Sequence, residues 1–181
     1  MSMENDLGRI LISQEEIHDA VKKLGAVLTG EYDGKDLIAI SVLKGAAIFM
    51  ADLIREIKCP LAIDFMAVSS YGSGVKTSGV VKIIKDLDRP IEGKDVLIVE
   101  DVLDSGMTLS YLVELLKDRN PRSLRIAALL DKPSRRITDI KADYTCFEIP
   151  DEFVVGYGLD YDEKYRNLPF IAVLKPEVYS K

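Results

Sequence analysis

An α/β fold, with a mostly parallel twisted sheet and helices on its faces, is expected from three features of the chain. Short apolar runs of buried-strand type alternate with stretches whose apolar residues recur at helical spacing. Residues 95–130 form a complete strand–helix–strand unit, and such a crossover makes its two strands parallel. No Ser/Pro-rich linker, internal repeat or low-complexity tract divides the 181 residues, so one domain spanning 1–181 is expected.

The first helix is expected over residues 13–28, where Ser13 and Glu16 make a capping box and Ile17, Val21, Leu24 and Leu28 share one face. Residues 37–42 are short and apolar, a buried strand, and a helix over 46–57 follows with Ile48, Phe49, Ile54 and Ile57 on its apolar side. Strands are expected at 61–68, 80–85 and 95–99. The helix over 107–119 aligns Leu109, Leu112, Val113 and Leu116, then feeds the strand over 124–130. Weaker strands near 144–147, 153–155 and 171–174 close the chain. Open sheets of this type bind ligands beyond the carboxyl ends of their strands, so chemistry is expected there.

Composition excludes several classes of function. Apolar residues make up 48% and charged residues 30%, and no run approaches the roughly 20 apolar residues of a membrane-spanning helix. The opening MSMENDLGRI has two acids and no apolar core of a signal peptide, so a cytoplasmic location is expected. Cys59 and Cys146 form neither a CxxC pair nor a disulfide framework and are expected to be reduced core thiols. The single histidine, His18, sits in the first helix as a surface residue, which leaves no His-rich metal site. A net charge of −6 disfavours nucleic acid, so any anionic ligand must be drawn by local groups.

The most informative segment runs Val96-Leu97-Ile98-Val99-Glu100-Asp101-Val102-Leu103-Asp104-Ser105-Gly106-Met107-Thr108-Leu109. Glu100, Asp101 and Asp104 put three carboxylates at a strand's carboxyl end, where their repulsion is costly unless a cation or a hydroxyl-rich ligand sits among them. Asp104 to Thr108 then offers successive backbone N–H groups at a helix N-terminus, with Gly106 allowing close approach and the Ser105 and Thr108 hydroxyls free to donate: a phosphate cradle. The bland alternative, in which Asp104 or Ser105 only caps the helix and Glu100 and Asp101 are solvated, accounts for one acid better than for all three. No Walker A loop occurs, and Gly72 to Gly79 precedes a strand-like run instead of opening a helix, so it is no dinucleotide loop.

This acidic strand-to-helix turn resembles the phosphoribosyl-diphosphate signature of type I phosphoribosyltransferases, and further segments between Ile10 and Leu174 resemble their hypoxanthine-guanine branch. Leu43-Lys44-Gly45 resembles the loop that holds diphosphate through a cis peptide, although Lys44 alone would pass for an exposed lysine. Ser70 and Tyr71 resemble the Ser-Tyr pair at the base of the closing lid. Lys132 matches the lysine that reaches the purine's exocyclic oxygen, and a solvated lysine is the alternative. In Phe147 to Tyr161, the most branch-specific stretch, the resemblance implies that Phe153 stacks on the base, Val154 reads its edge and Asp160 binds magnesium. The resemblance also implies that Val102 lines the purine site, and Arg166 matches the arginine that contacts diphosphate. Ser105 and Met107 depart from the threonine and lysine of some relatives, and Met107 removes a potential cation near the 5′-phosphate.

The resemblance implies a small hood built from the N- and C-terminal segments beside the sheet, and a homodimer or homotetramer. It also implies purine salvage: transfer of the 5-phosphoribosyl group from phosphoribosyl diphosphate to N9 of hypoxanthine or guanine, with Mg²⁺, giving IMP or GMP and diphosphate. Glu100 and Asp101 would then hold ribose hydroxyls and a first metal, Asp160 a second, and Asp104 would act as general base on purine N7. Lys44, Gly45, Met107, Thr108 and Arg166 would hold phosphates. Two alternatives stand beside it: a regulator built on the same fold, disfavoured by the acidic charge and by Lys132 and Phe153, and a sibling enzyme using xanthine or a pyrimidine. Neither nucleic acid nor membrane is an expected partner.

Overall fold

The computed structural model describes residues 3–70 and 81–180. A 3-10 turn at Met3–Asp6 leads into β1 (Leu7–Ile12), α1 (Gln14–Tyr32), β2 (Leu37–Leu43), α2 (Ala47–Glu56), β3 (Leu61–Ser70), β4 (Val81–Lys85) and β5 (Asp95–Leu103). The chain continues through α3 (Met107–Lys117), β6 (Ser123–Asp131), β7 (Tyr144–Glu148), β8 (Val154–Val155), β9 (Ile171–Leu174) and the single turn α4 (Pro176–Tyr179). Strands β4-β3-β2-β5-β6-β7 form one sheet, parallel throughout except for the antiparallel edge strand β4. Strands β1-β9-β8 form a second, antiparallel sheet from the two ends of the chain, the hood that the resemblance implies.

Each helix stands where its apolar periodicity places it. The Ser13 hydroxyl accepts from the Glu16 amide while the Glu16 carboxylate accepts from the Ser13 amide, closing the expected capping box. Ile17, Val21, Leu24 and Leu28 of α1 are buried against α2 and the sheet, and His18 is exposed. On the opposite face, Leu109, Leu112, Val113 and Leu116 of α3 pack on Ile38, Ile40, Val96 and Ile98. The strands between are apolar on both faces because both are covered by helices. Cys59 is buried and Cys146 half-buried, and both are free thiols.

The structure amends three expectations. α1 runs one turn further, to Tyr32. β1, which no pattern in the sequence marks as a strand, pairs with β9 although its residues lack a clean apolar alternation: Gly8, Arg9 and Ile10 are exposed and the register shifts twice. β5 extends to Leu103, so Glu100 and Asp101 are strand residues and not part of a loop. Among the described residues, no helix is long and apolar enough to cross a membrane.

Candidate active site

The carboxyl ends of β2 and β5 and the start of α3 frame a cavity of about 230 Å³, lined by Gly45, Glu100, Asp101, Val102, Asp104, Ser105, Gly106 and Thr108 among others. A second cavity of about 410 Å³ is lined by Val102, Asp104, Lys132, Phe153, Val154 and Asp160, with Arg135 and Tyr179. Val102 and Asp104 line both. The residues expected for a phosphate cradle and those expected for a planar base therefore occupy adjoining spaces that meet at Asp104.

The cradle is held from outside. The carbonyls of Leu103, Asp104 and Ser105 accept from the segment after β6: Lys132 N and Arg136 Nη2 to Leu103, Arg136 Nε to Asp104, and Ile137 N to Ser105. Arg136 also donates to Ile140 O and pairs with Asp131. With those carbonyls engaged, the amides at the start of α3 remain for a ligand. Gly106 has no capping side chain, Met107 N makes only a 3.4 Å contact with Ser105 Oγ, and Thr108 N and Leu109 N find no acceptor among the described residues. Gly106 adopts φ 83°, and a Cβ there would stand 2.3 Å from Thr138 Oγ1. Its glycine is required by the neighbouring segment as well as by the left-handed turn.

Gly45 makes room for the Asp101 carboxylate: a Cβ on it would lie 1.7 Å from Asp101 Oδ2. The Leu43–Lys44 peptide is cis, as the resemblance implies. Burial and the neighbouring Asp101 charge push the Glu100 carboxyl well above its usual range, and burial, with the Asp160 charge adding to it, pushes Asp101 up. A cation or donating hydroxyls at this spot would relieve both. Among the described residues no group of three His, Cys, Asp or Glu side chains could enclose a metal, so Glu100, Asp101 and Asp160 do not make a single ligand cluster. Asp160 instead pairs with Arg166 Nη2 at 2.9 Å and accepts from Glu163 N.

In the larger cavity Lys132 is buried, 8% exposed, and donates to Glu152 O at 2.8 Å; burial pulls its ammonium below the usual lysine range. Phe153 stacks on Tyr179 with ring centroids 4.9 Å apart and meets Tyr161 edge-on. Asp104 Oδ1 accepts from Arg135 Nε at 2.8 Å, and Arg135 also reaches Asp151. Lys44 Nζ and Arg166 Nη2 both donate to Glu163, while Arg166 Nη1 donates to Gly158 O. Met107 is exposed and lines neither cavity. Tyr71 lies outside the described residues, and Ser70 ends β3 with only its backbone described.

Arg135, Arg136, Glu163 and Tyr179 carry no sequence signal that singles them out. The adjacent arginines of Lys132-Pro133-Ser134-Arg135-Arg136 directly follow a strand's carboxyl end, and that placement is the one cue that could have drawn attention to them.

The phosphoribosyl transferase domain family matches residues 13–162. The chain is 62% identical over 177 residues to the hypoxanthine-guanine phosphoribosyltransferase of Bacillus subtilis, covering 98% of each chain. It is 54% identical to the protein of the same name from Streptococcus thermophilus, covering 99% of each. A hypoxanthine phosphoribosyltransferase crystal structure from Staphylococcus aureus superposes with a TM-score of 0.96 at 57% identity, covering 99% of this chain and 97% of that one.

Proposed function

The chain belongs to the phosphoribosyltransferase family, and on that footing we propose how its site performs the reaction of the hypoxanthine-guanine branch. The protein is a purine-salvage pentosyltransferase: it moves the 5-phosphoribosyl group of phosphoribosyl diphosphate to N9 of hypoxanthine or guanine, forming IMP or GMP and diphosphate. The observation that carries the residue assignment is that the two cavities share Val102 and Asp104. A base in one and a phosphoribosyl group in the other would meet at the Asp104 carboxylate.

A ribose carbon losing diphosphate develops oxocarbenium character, so the protein's task is to hold the base in line and steady the departing anion. The amides of Thr108 and Leu109 and the Ser105 and Thr108 hydroxyls bind the 5′-phosphate. Glu100 and Asp101 accept from the ribose hydroxyls, which relieves the repulsion between them. Lys44, the Gly45 backbone and Arg166 hold the diphosphate. Asp104 leaves Arg135 and accepts or shares the N7 proton of the base as general base. Lys132 turns from Glu152 O to the 6-oxo group, a contact that adenine cannot make because its 6-amino group is a donor. Phe153 stacks on the base and the Val154 backbone reads its edge.

The paired carboxylates suit a hard divalent cation that keeps most of its ligands as water and substrate oxygens. Glu100 and Asp101 on one side, through the ribose, and Asp160 on the other would hold Mg²⁺. When bound, Mg²⁺ supplies neutralising charge to the diphosphate. The assembly is a homodimer or homotetramer, a proposal that sedimentation velocity checks.

The deciding assay supplies purified protein with phosphoribosyl diphosphate, Mg²⁺ and, in turn, adenine, hypoxanthine, guanine, xanthine and uracil. Nucleotide is expected from hypoxanthine and guanine and not from adenine. Nucleotide from none of the bases would overturn the reading.

A further inference from the structure

The proposed reaction has no use for a carboxylate between the two cations that receive diphosphate, yet one is there. Glu163 Oε2 accepts from Lys44 Nζ at 2.8 Å, and Glu163 Oε1 accepts from Arg166 Nη2 at 3.2 Å. One carboxylate thus takes a cation with each oxygen, much as two oxygens of a phosphoryl group would. The loop is shaped to deliver it: Asp162, Glu163 and Tyr165 adopt φ of 52°, 60° and 76°, conformations that non-glycine residues hold only where their surroundings impose them. Glu163 N is tied to Asp160 Oδ2 at 2.9 Å, and Tyr161 and Lys164 bridge the turn. The neighbouring acid Asp162 pairs with Lys164 and with no other cation among the described residues.

We propose that Glu163 is an internal counter-ion of the diphosphate site. In the ligand-free protein it holds Lys44 and Arg166 together, and it gives way when the diphosphate group of the substrate enters. A diphosphate carries more charge than a carboxylate, so the exchange favours the substrate, but the two lost pairs subtract from its affinity. The Glu163 side chain is 64% exposed, so it can turn to water without stranding a buried charge. After transfer, its return competes with product diphosphate and promotes release. Glu163 is thus a positioning residue for the known reaction, and its charge sets how tightly the leaving group is held.

The inference rests on the reading that Lys44 and Arg166 bind diphosphate, and one titration separates the two. The full chain is titrated calorimetrically with magnesium diphosphate as wild type, Glu163→Gln, Glu163→Ala and Asp162→Asn, and KM is measured for both substrates. Each exposed pair removed is a small effect, so Glu163→Gln and Glu163→Ala are expected to bind diphosphate about three- to tenfold tighter. KM for phosphoribosyl diphosphate should fall in parallel while KM for hypoxanthine stays put, a split that a merely structural role would not produce. Asp162→Asn makes the same change of net charge and should shift neither. Glu163 variants that bind diphosphate no tighter than the wild type overturn the inference alone. Absence of diphosphate binding by the wild type overturns the diphosphate site and the inference with it.

Discussion

Asp104 lies between two possible partners, and the structure records only one of them, the Arg135 guanidinium. Both side chains are about half exposed (44% and 50%), so the pair adds little stability and the carboxylate can be released at small cost. Replacing Asp104 with Asn keeps the shape and removes the base. We expect kcat to fall about 100-fold, the lower end of what general base catalysis contributes, with KM for phosphoribosyl diphosphate changed less than about threefold. Steady-state kinetics decide it, and unchanged turnover would remove Asp104 from the role. At this scale the sequence is legible where a residue type is unusual for its place. Three acids after an apolar strand, and a Ser-Gly-x-Thr run opening a helix, are such cases. Arg135, Arg136 and Glu163 were not legible, because an arginine or glutamate in a polar segment has no local mark. What distinguishes them is a partner 31, 32 or 119 positions away in the chain, brought close only by the fold.

Between residues and the whole, the unit that matters is the β5–α3 turn clamped by the segment after β6. The alternation of apolar runs identified both elements, since a strand buried on two faces and a helix with one apolar stripe are strong local patterns. The extension of β5 through Glu100 and Asp101 was not visible, because acidic residues have low strand propensity and only pairing with β6 holds them extended. β1 likewise has no local mark, its conformation being set by β9 at the far end of the chain. The clamp predicts the effect of Gly106→Ala. The left-handed φ costs about 1–2 kcal/mol for an L-residue, and the new methyl group must also displace Thr138 and Ile140. A loss of about 2–4 kcal/mol in denaturant-unfolding free energy is expected, together with a raised KM for phosphoribosyl diphosphate as the amides of Thr108 and Leu109 shift. Retention of both values would mean that the segment after β6 yields freely and does not set the cradle.

For the whole molecule the question is whether hood and sheet behave as one body, because the site is divided between them. The sheet and its loops carry Glu100 to Thr108 and Lys132, whereas the hood and its loops carry Phe153, Asp160 and Arg166. Ile12, Val154 and Ile171 of the hood, with Tyr157 and Leu159 beside it, are buried in the same cluster as residues of α1, α2 and strands β2, β5 and β6. The hood also has a small cluster of its own, Val155, Tyr165, Leu168 and Leu174, but four buried side chains are too small a core to melt separately once its other face is built into the shared one. Ile171 is fully buried in that shared cluster. Ile171→Ala should cost about 2–5 kcal/mol, and a chain of this size loses about 2–4 °C per kcal/mol, so the melting temperature should fall by about 4–20 °C. The decisive readout in scanning calorimetry is the form of the change. One transition moving as a whole, with calorimetric and van't Hoff enthalpies equal, means that the hood is part of the single body that aligns base and leaving group. A separate low-temperature transition, with a second left at the wild-type temperature, would show a hood that folds by itself. Alignment of Phe153 and Arg166 with the cradle would then have to come from the substrates.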